Sequence, residues 1–210
     1  MKQYHKIQSV YKRNPQNNHK TFLDGEWSIP EFGWLANNKW KWTEKIDGTN
    51  IRVMWDGEKV TFNGKTDNAQ IPGDLVNYLI KKYNEDMFYN IFGTQLMNVC
   101  IYGEGYGAGI QKVGKLYRPD KAFVAFDIMI DDIWLEQHNV EDIAVKLETD
   151  FVPTLGEGTL YDAIEHTKKG FKSTWGDFEA EGLVCRPDCV LLRRTGDRII
   201  TKIKHEDFLR

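Results

Sequence analysis

Hydrophobic and polar residues alternate in short runs along much of this chain, and the runs come in pairs. Lys41-Trp42-Thr43-Glu44-Lys45 leads into a Gly-containing bend; Ile51-Arg52-Val53-Met54-Trp55 then meets Lys59-Val60-Thr61-Phe62 across an Asp56-Gly57 turn. Period-two alternation broken by Asp-Gly is the pattern of strands joined as hairpins. Val99-Cys100-Ile101-Tyr102 and the run from Ala122 to Ile130 read as buried strands. Three stretches change to helical spacing. Leu75, Tyr78 and Leu79 repeat along a helix that begins near Asp74, after Ile71-Pro72-Gly73. Val140, Ile143, Ala144 and Leu147 share one face behind an Asn139 cap. Leu160, Ala163, Ile164 and Thr167 follow Thr159, and Gly170 ends that helix. The last strands run from Glu181 to Arg186, from Val190 to Arg194, and, after a turn at Thr195-Gly196-Asp197, from Arg198 to Lys204. Hairpins without regular β-α-β alternation predict an α+β fold of mostly antiparallel sheets flanked by helices. One domain over residues 1–210 is the economical reading, with 1–40 as an extension packed on it and no separate downstream domain.

Composition narrows the class without choosing a function. The chain has 210 residues, 41% hydrophobic and 28% charged, with a formal net charge of -3. Such a balance argues against a protein wrapped non-specifically around nucleic acid, yet a local basic face remains open. Arg193, Arg194, Arg198, Lys202, Lys204 and Arg210 crowd the last twenty residues. No apolar run approaches a membrane span, and no hydrophobic stretch of the signal-peptide kind follows Met1. Three cysteines, none at zinc-like spacing with another Cys or His, read as reduced thiols of a cytoplasmic protein.

The chemistry concentrates in Thr43-Glu44-Lys45-Ile46-Asp47-Gly48-Thr49-Asn50. A lysine followed by x-Asp-Gly suits a covalent nucleotidyltransferase, whose ε-amine attacks the α-phosphorus of a nucleoside triphosphate. The glycine lets the chain bend so that backbone N–H groups come close to phosphate. A second Asp-Gly, in Trp55-Asp56-Gly57-Glu58, reads as a plain turn. An ordinary lysine, with a pKa of about 10.4, is protonated at neutral pH and needs neighbouring positive charge or desolvation to expose its lone pair. Arg198-Ile199-Ile200-Thr201-Lys202-Ile203-Lys204 offers such charge, because period two places Lys202 and Lys204 on one face and Ile199, Thr201 and Ile203 on the other. Glu104 stands among glycines in Tyr102-Gly103-Glu104-Gly105-Tyr106-Gly107, a density that implies close approach to the backbone. Glu181 heads the apolar run Gly182-Leu183-Val184. Phe126 is a core aromatic or a platform on which a purine stacks.

In order, TEKIDGTN, GKTDNAQIP, YGEGYGAGIQ, AFDI, AEGLV and ITKIKHEDF resemble the adenylyltransferase domain of ATP-dependent RNA ligases of the RNA-ligase-2 type. Those enzymes share their covalent nucleotidyltransferase core, an ATP-grasp-like fold, with DNA ligases and mRNA capping enzymes. The resemblance implies that Lys45 becomes AMP-lysine, Glu44 and Ile46 flank the adenine, and Asn50 lies near the phosphates. It places Lys65, where relatives usually carry arginine, against the ribose and nucleic acid. It assigns Glu104 to the ribose hydroxyls, Phe126 to adenine stacking, Glu181 to Mg²⁺ or Mn²⁺ through water, and Lys202 and Lys204 to the phosphates. ATP is then the cofactor and RNA the partner, as a nicked duplex or free ends. The best-studied relatives continue past this point into a domain that helps bind nucleic acid, which leaves such contacts here to the segment from Met1 to Asn38 or to a partner protein. The alternatives are a DNA nick-sealing ligase, a GTP-dependent capping-type guanylyltransferase, or a non-catalytic nucleic-acid-binding module of the same fold.

Overall fold

The computed structural model describes residues 2–95 and 98–209; Arg210, counted above in the basic stretch, lies outside them. The chain divides into two compact units. The first is Met1–Tyr4 with Asp47–Val152, and the second is His5–Ile46 with Pro153–Arg210. The octet around Lys45 therefore contributes Thr43 to Ile46 to the second unit and Asp47 to Asn50 to the first.

The amino-terminal part of the second unit holds β1 (Gln8–Ser9), β2 (Tyr11–Arg13), β3 (Phe22–Trp27), α1 (Pro30–Trp34) and β4 (Trp40–Glu44). The first unit follows with β5 (Thr49–Trp55), β6 (Val60–Gly64), α2 (Gly73–Lys82), α3 (Glu85–Phe92), β7 (Val99–Gly107), α4 (Gly114–Tyr117), β8 (Lys121–Ile130), β9 (Ile133–Trp134), α5 (Gln137–Lys146) and β10 (Asp150–Phe151). The second unit resumes with β11 (Thr154–Gly158), α6 (Leu160–Lys169), β12 (Gly182–Pro187) and β13 (Thr201–Lys204).

In the first unit the sheet runs β10-β8-β7-β5-β6, with β9 on β8, and its central pairs are antiparallel. Ile51, Val53, Ile101, Phe123 and Ile128 leave one face of it and pack with Leu75 and Leu79 of α2, Phe88 of α3 and Val140 of α5. The glycines expected to admit a close approach in β7 admit the protein itself. A Cβ at Gly103 would strike the Phe123 ring, and one at Gly105 would strike Leu75.

In the second unit the order is β1-β13-β12-β4-β11, with β2 and β3 in a separate hairpin. Phe32, Trp40, Leu160, Ile164, Leu183 and Ile203 form its core. Helix α6 begins as its sequence predicts: the Thr159 side chain accepts from the Asp162 N–H, and the Asp162 carboxylate accepts from the Thr159 N–H.

Two expectations need correction. The hairpin of Val190–Arg194 with Arg198–Lys204 reduces to a single bridge between Leu192 and Arg198, and the last strand starts at Thr201. The reason is that both edges of β13 are occupied, by β12 and by β1. Helix α5 starts at Gln137, and Asn139 lies inside its first turn. The Glu136 carbonyl accepts from the N–H groups of Asn139 and Val140, so Glu136 takes the capping position.

Candidate active site

Within the second unit, β12 lies between β4 and β13, and that order assembles the lysines. Glu44 pairs with Leu183, and Gly182 pairs with Lys204. The Lys45 N–H donates to the Gly182 carbonyl at 2.9 Å, so Lys45 leaves β4 beside the head of β12. Gly182 holds φ at +152°, and a Cβ there would collide with the Ile203 carbonyl; only glycine fits. One residue earlier, the Glu181 carboxylate is bridged by two ammonium groups. Its Oε2 lies 2.6 Å from Lys45 Nζ and its Oε1 lies 2.7 Å from Lys204 Nζ. These side chains are only 16–25% exposed, so the charges are poorly screened by water.

Lys202 is the third cation of the cluster, and Thr201 and Ile203 are buried on the opposite face, as alternation predicts. Burial, together with the charges of Lys45 and Lys204, holds its ammonium below the ordinary lysine value, against the pull of Glu181. Lys204 moves the other way: burial works against its charge, but the bond to Glu181 and the charges of Glu181 and Glu206 outweigh it. Three lysines around one glutamate leave net positive charge, which suits a polyphosphate. Glu44 is buried, and its carboxylate accepts from Ser173 Oγ at 2.5 Å and from the N–H and Oγ1 of Thr174, both at 2.8 Å. Ile46 is also buried.

The first unit gathers a second set, on the sheet face turned away from α2, α3 and α5. Asn50 sits directly across from Glu104, and its amide donates to Glu104 Oε2 at 3.0 Å. Gly48 packs against this pair: a Cβ there would meet the Gly105 carbonyl and the Glu104 side chain. Between β7 and β8 the register shifts, since Tyr102 pairs with Asp127 and Gly103 with Ala125. Phe126 is the extra residue of that bulge. The shift inverts the inward positions, from Phe123 and Ala125 before it to Ile128 and Ile130 after it. Phe126 is thereby left half-exposed on the face that carries Glu104. Lys65 is exposed just beyond β6. Its loop is tied down by the buried Arg52, whose guanidinium donates to the Gly64 carbonyl at 2.9 Å and to Asp67 at 2.6 Å.

The structure thus brings Lys45, Glu181, Lys202 and Lys204 together beside Glu44 and Ile46. Separately, it sets Asn50 and Glu104 side by side, with Phe126 on the same sheet face. Sequence reasoning gave no role to Ser173 and Thr174, which lie outside any periodic run, nor to Arg52 and Asp127, which stand inside runs read as strands. The cysteines stand apart from this chemistry: Cys100 and Cys185 are buried, and burial pushes the Cys100 thiol up to about 11.

The lysine cluster thus stands on strands of a two-unit α+β chain. Solved structures of Naegleria gruberi RNA ligase share the fold. A variant with AMP and Mn aligns with a TM-score of 0.70 at 17% identity, over 98% of this chain and 56% of that one. The same ligase with pyrophosphate gives 0.67 at 19% identity, over 97% and 56%. The chain therefore spans a little more than half the length of these structures. The RNA ligase family model matches residues 38–204. This chain belongs to the RNA ligase family.

Proposed function

We propose that this chain is the adenylyltransferase part of an ATP-dependent RNA ligase working through a covalent lysyl-AMP. Lys45 Nζ attacks the α-phosphorus of ATP, a P–N bond forms, the bond from that phosphorus to the bridging oxygen breaks, and pyrophosphate leaves. AMP then passes to an RNA 5′-phosphate, and a 3′-hydroxyl displaces it. The observation that carries this reading is the Glu181 carboxylate held between Lys45 at 2.6 Å and Lys204 at 2.7 Å. Glu181 orients the nucleophile and lies where the ammonium proton can go before attack. Lys202 and Lys204 offer fixed positive charge to the phosphates, which stabilises charge that develops as pyrophosphate departs.

The remaining roles follow the family resemblance. Asn50 serves near the phosphates, Glu104 the ribose, Phe126 the base, and Lys65 the ribose and RNA. Ile46 and Glu44 line the adenine, Glu44 through its place on β4, because Ser173 and Thr174 hold its carboxylate. Among the described residues no three His, Cys, Asp or Glu side chains form a metal cluster. Glu181 would hold Mg²⁺ or Mn²⁺ through water. That ion would supply neutralisation of phosphate charge. Several Naegleria ligase structures contain ATP or AMP with Mn, which supports this choice. We take both units as parts of one adenylyltransferase domain, since the family match crosses both. A cytoplasmic setting accords with three free cysteines, and among the described residues no helix is long and apolar enough to cross a membrane.

The test is self-labelling. With α-labelled ATP and Mg²⁺, the denatured wild-type chain retains label, and Lys45→Ala retains none. Label on that variant, or its absence from the wild type, overturns the mechanism. Nicked RNA and DNA duplexes then decide the polynucleotide: sealing of DNA alone would make this a DNA ligase.

A further inference from the structure

The bulge that presents Phe126 is held by residues to which no role has been given. Asp127, completely buried, sits beside Phe126. Its Oδ2 accepts from the Tyr4 hydroxyl at 2.5 Å, and its Oδ1 accepts from Gln137 Nε2 at 3.2 Å. The same Gln137 amide reaches the Phe126 carbonyl at 3.4 Å. The Tyr4 ring meets the Phe126 ring nearly edge-on, with centroids 5.0 Å apart and planes at 69°. Tyr4 is itself fixed against Tyr102 and Trp134, at 5.1 and 5.6 Å, and the Tyr102 hydroxyl donates to the Lys2 carbonyl.

This is much polar construction around one irregular residue. A buried carboxylate needs its hydrogen bonds satisfied, so Tyr4 and Gln137 together make Asp127 tolerable in the apolar interior. An edge-to-face ring contact has a preferred geometry, so it also restricts how the Phe126 ring turns. Phe126 nevertheless keeps part of its surface open.

We infer that Tyr4 is a positioning residue for the nucleotide base: its hydroxyl locks the Asp127 bulge and its ring braces Phe126 in the orientation in which the base stacks. The inference rests on the assignment of Phe126 to the base. Removing the hydroxyl alone leaves the ring contact; removing the ring leaves Phe126 to become ordered only when the base binds, at a cost in entropy.

The test measures initial self-labelling rates of the full chain against ATP concentration for wild type, Tyr4→Phe, Tyr4→Leu, Phe126→Ala and the double variant Tyr4→Leu/Phe126→Ala, with a thermal melt of each. Tyr4→Phe is expected to raise KM for ATP about three- to tenfold, the span of one hydrogen bond, with kcat unchanged. Tyr4→Leu is expected to raise it further, and to have no added effect once Phe126 is alanine. A merely structural role would persist in the Phe126→Ala background, whatever the melting temperature does. An unchanged KM in both Tyr4 variants, or full additivity in the double variant, overturns the inference. An unchanged KM in Phe126→Ala overturns the base assignment itself. If Tyr4→Leu proves too unstable to assay, Tyr4→Phe alone decides, since it removes one atom.

Discussion

At Lys202 and Lys204, two residues apart on β13, burial acts alike and the outcomes differ. Glu181 makes the difference, because it bonds Lys204 directly and reaches Lys202 only through its field. Lys204 has its value raised above 10.5 in the folded chain, so its contribution to stability is complete below that pH and disappears as pH climbs through the raised value. Lys202, lowered from 10.5, has the opposite sign. Its charge burdens the fold throughout the neutral range, and the burden lifts as pH rises from the lowered value toward 10.5. Lys202→Met is therefore expected to stabilise the chain by about 0.5–2 kcal/mol at pH 7, the usual yield when a strained functional position is relaxed. The same change should slow self-adenylylation about a hundredfold, the loss that follows removal of one charge-stabilising group. Urea unfolding and labelling rates on one preparation check both halves. Lys45 drew notice through Lys-x-Asp-Gly, Glu181 as the head of an apolar run, and Lys202 and Lys204 through sharing one face of an alternating strand. Ser173 and Thr174 were not legible in the sequence, because nothing local ties them to Glu44, 129 and 130 positions earlier.

The strands β4, β5 and β6, read from alternation, and β8, read from its apolar run, could be taken directly, and so could α6, whose Thr159 and Asp162 announce its start. Helix α3 escaped notice because it is short, although Asn84 caps it by accepting from the Met87 N–H. The hairpin expected around Gly196 failed for a reason that sequence cannot carry: a strand has two edges, and partners distant in sequence had taken both. Gly182 is where element and site meet. Its backbone serves Lys45, and its missing side chain lets β12 close on β13. Gly182→Ala should cost about 1–3 kcal/mol, the scale of a backbone forced out of its allowed region. Because the clash lies between the strands that bear Glu181 and Lys204, self-adenylylation should fall out of proportion to stability. A variant that melts lower yet labels at the wild-type rate at low temperature would refute the link.

For the molecule as a whole, the sequence indicated sheet-rich α+β architecture correctly, but not how the chain is shared between units. The first unit is almost one unbroken stretch, Asp47–Val152, whereas the second is built from segments on either side of it. Strand β4 makes this concrete, since its two neighbours, β11 and β12, both come from beyond residue 153. Contacts so distant along the chain close late, after the local ones have formed. Pulsed hydrogen exchange during refolding should find the amides of β5, β7 and β8 protected before those of β4, and simultaneous protection would count against this order. On the ribosome the consequence is temporal. The strand leading to Lys45 emerges with both edges bare and stays so until first β11 and then β12 have been made, more than a hundred residues later. A nascent chain thus carries Lys45 long before Glu181, the carboxylate that holds it, has been made.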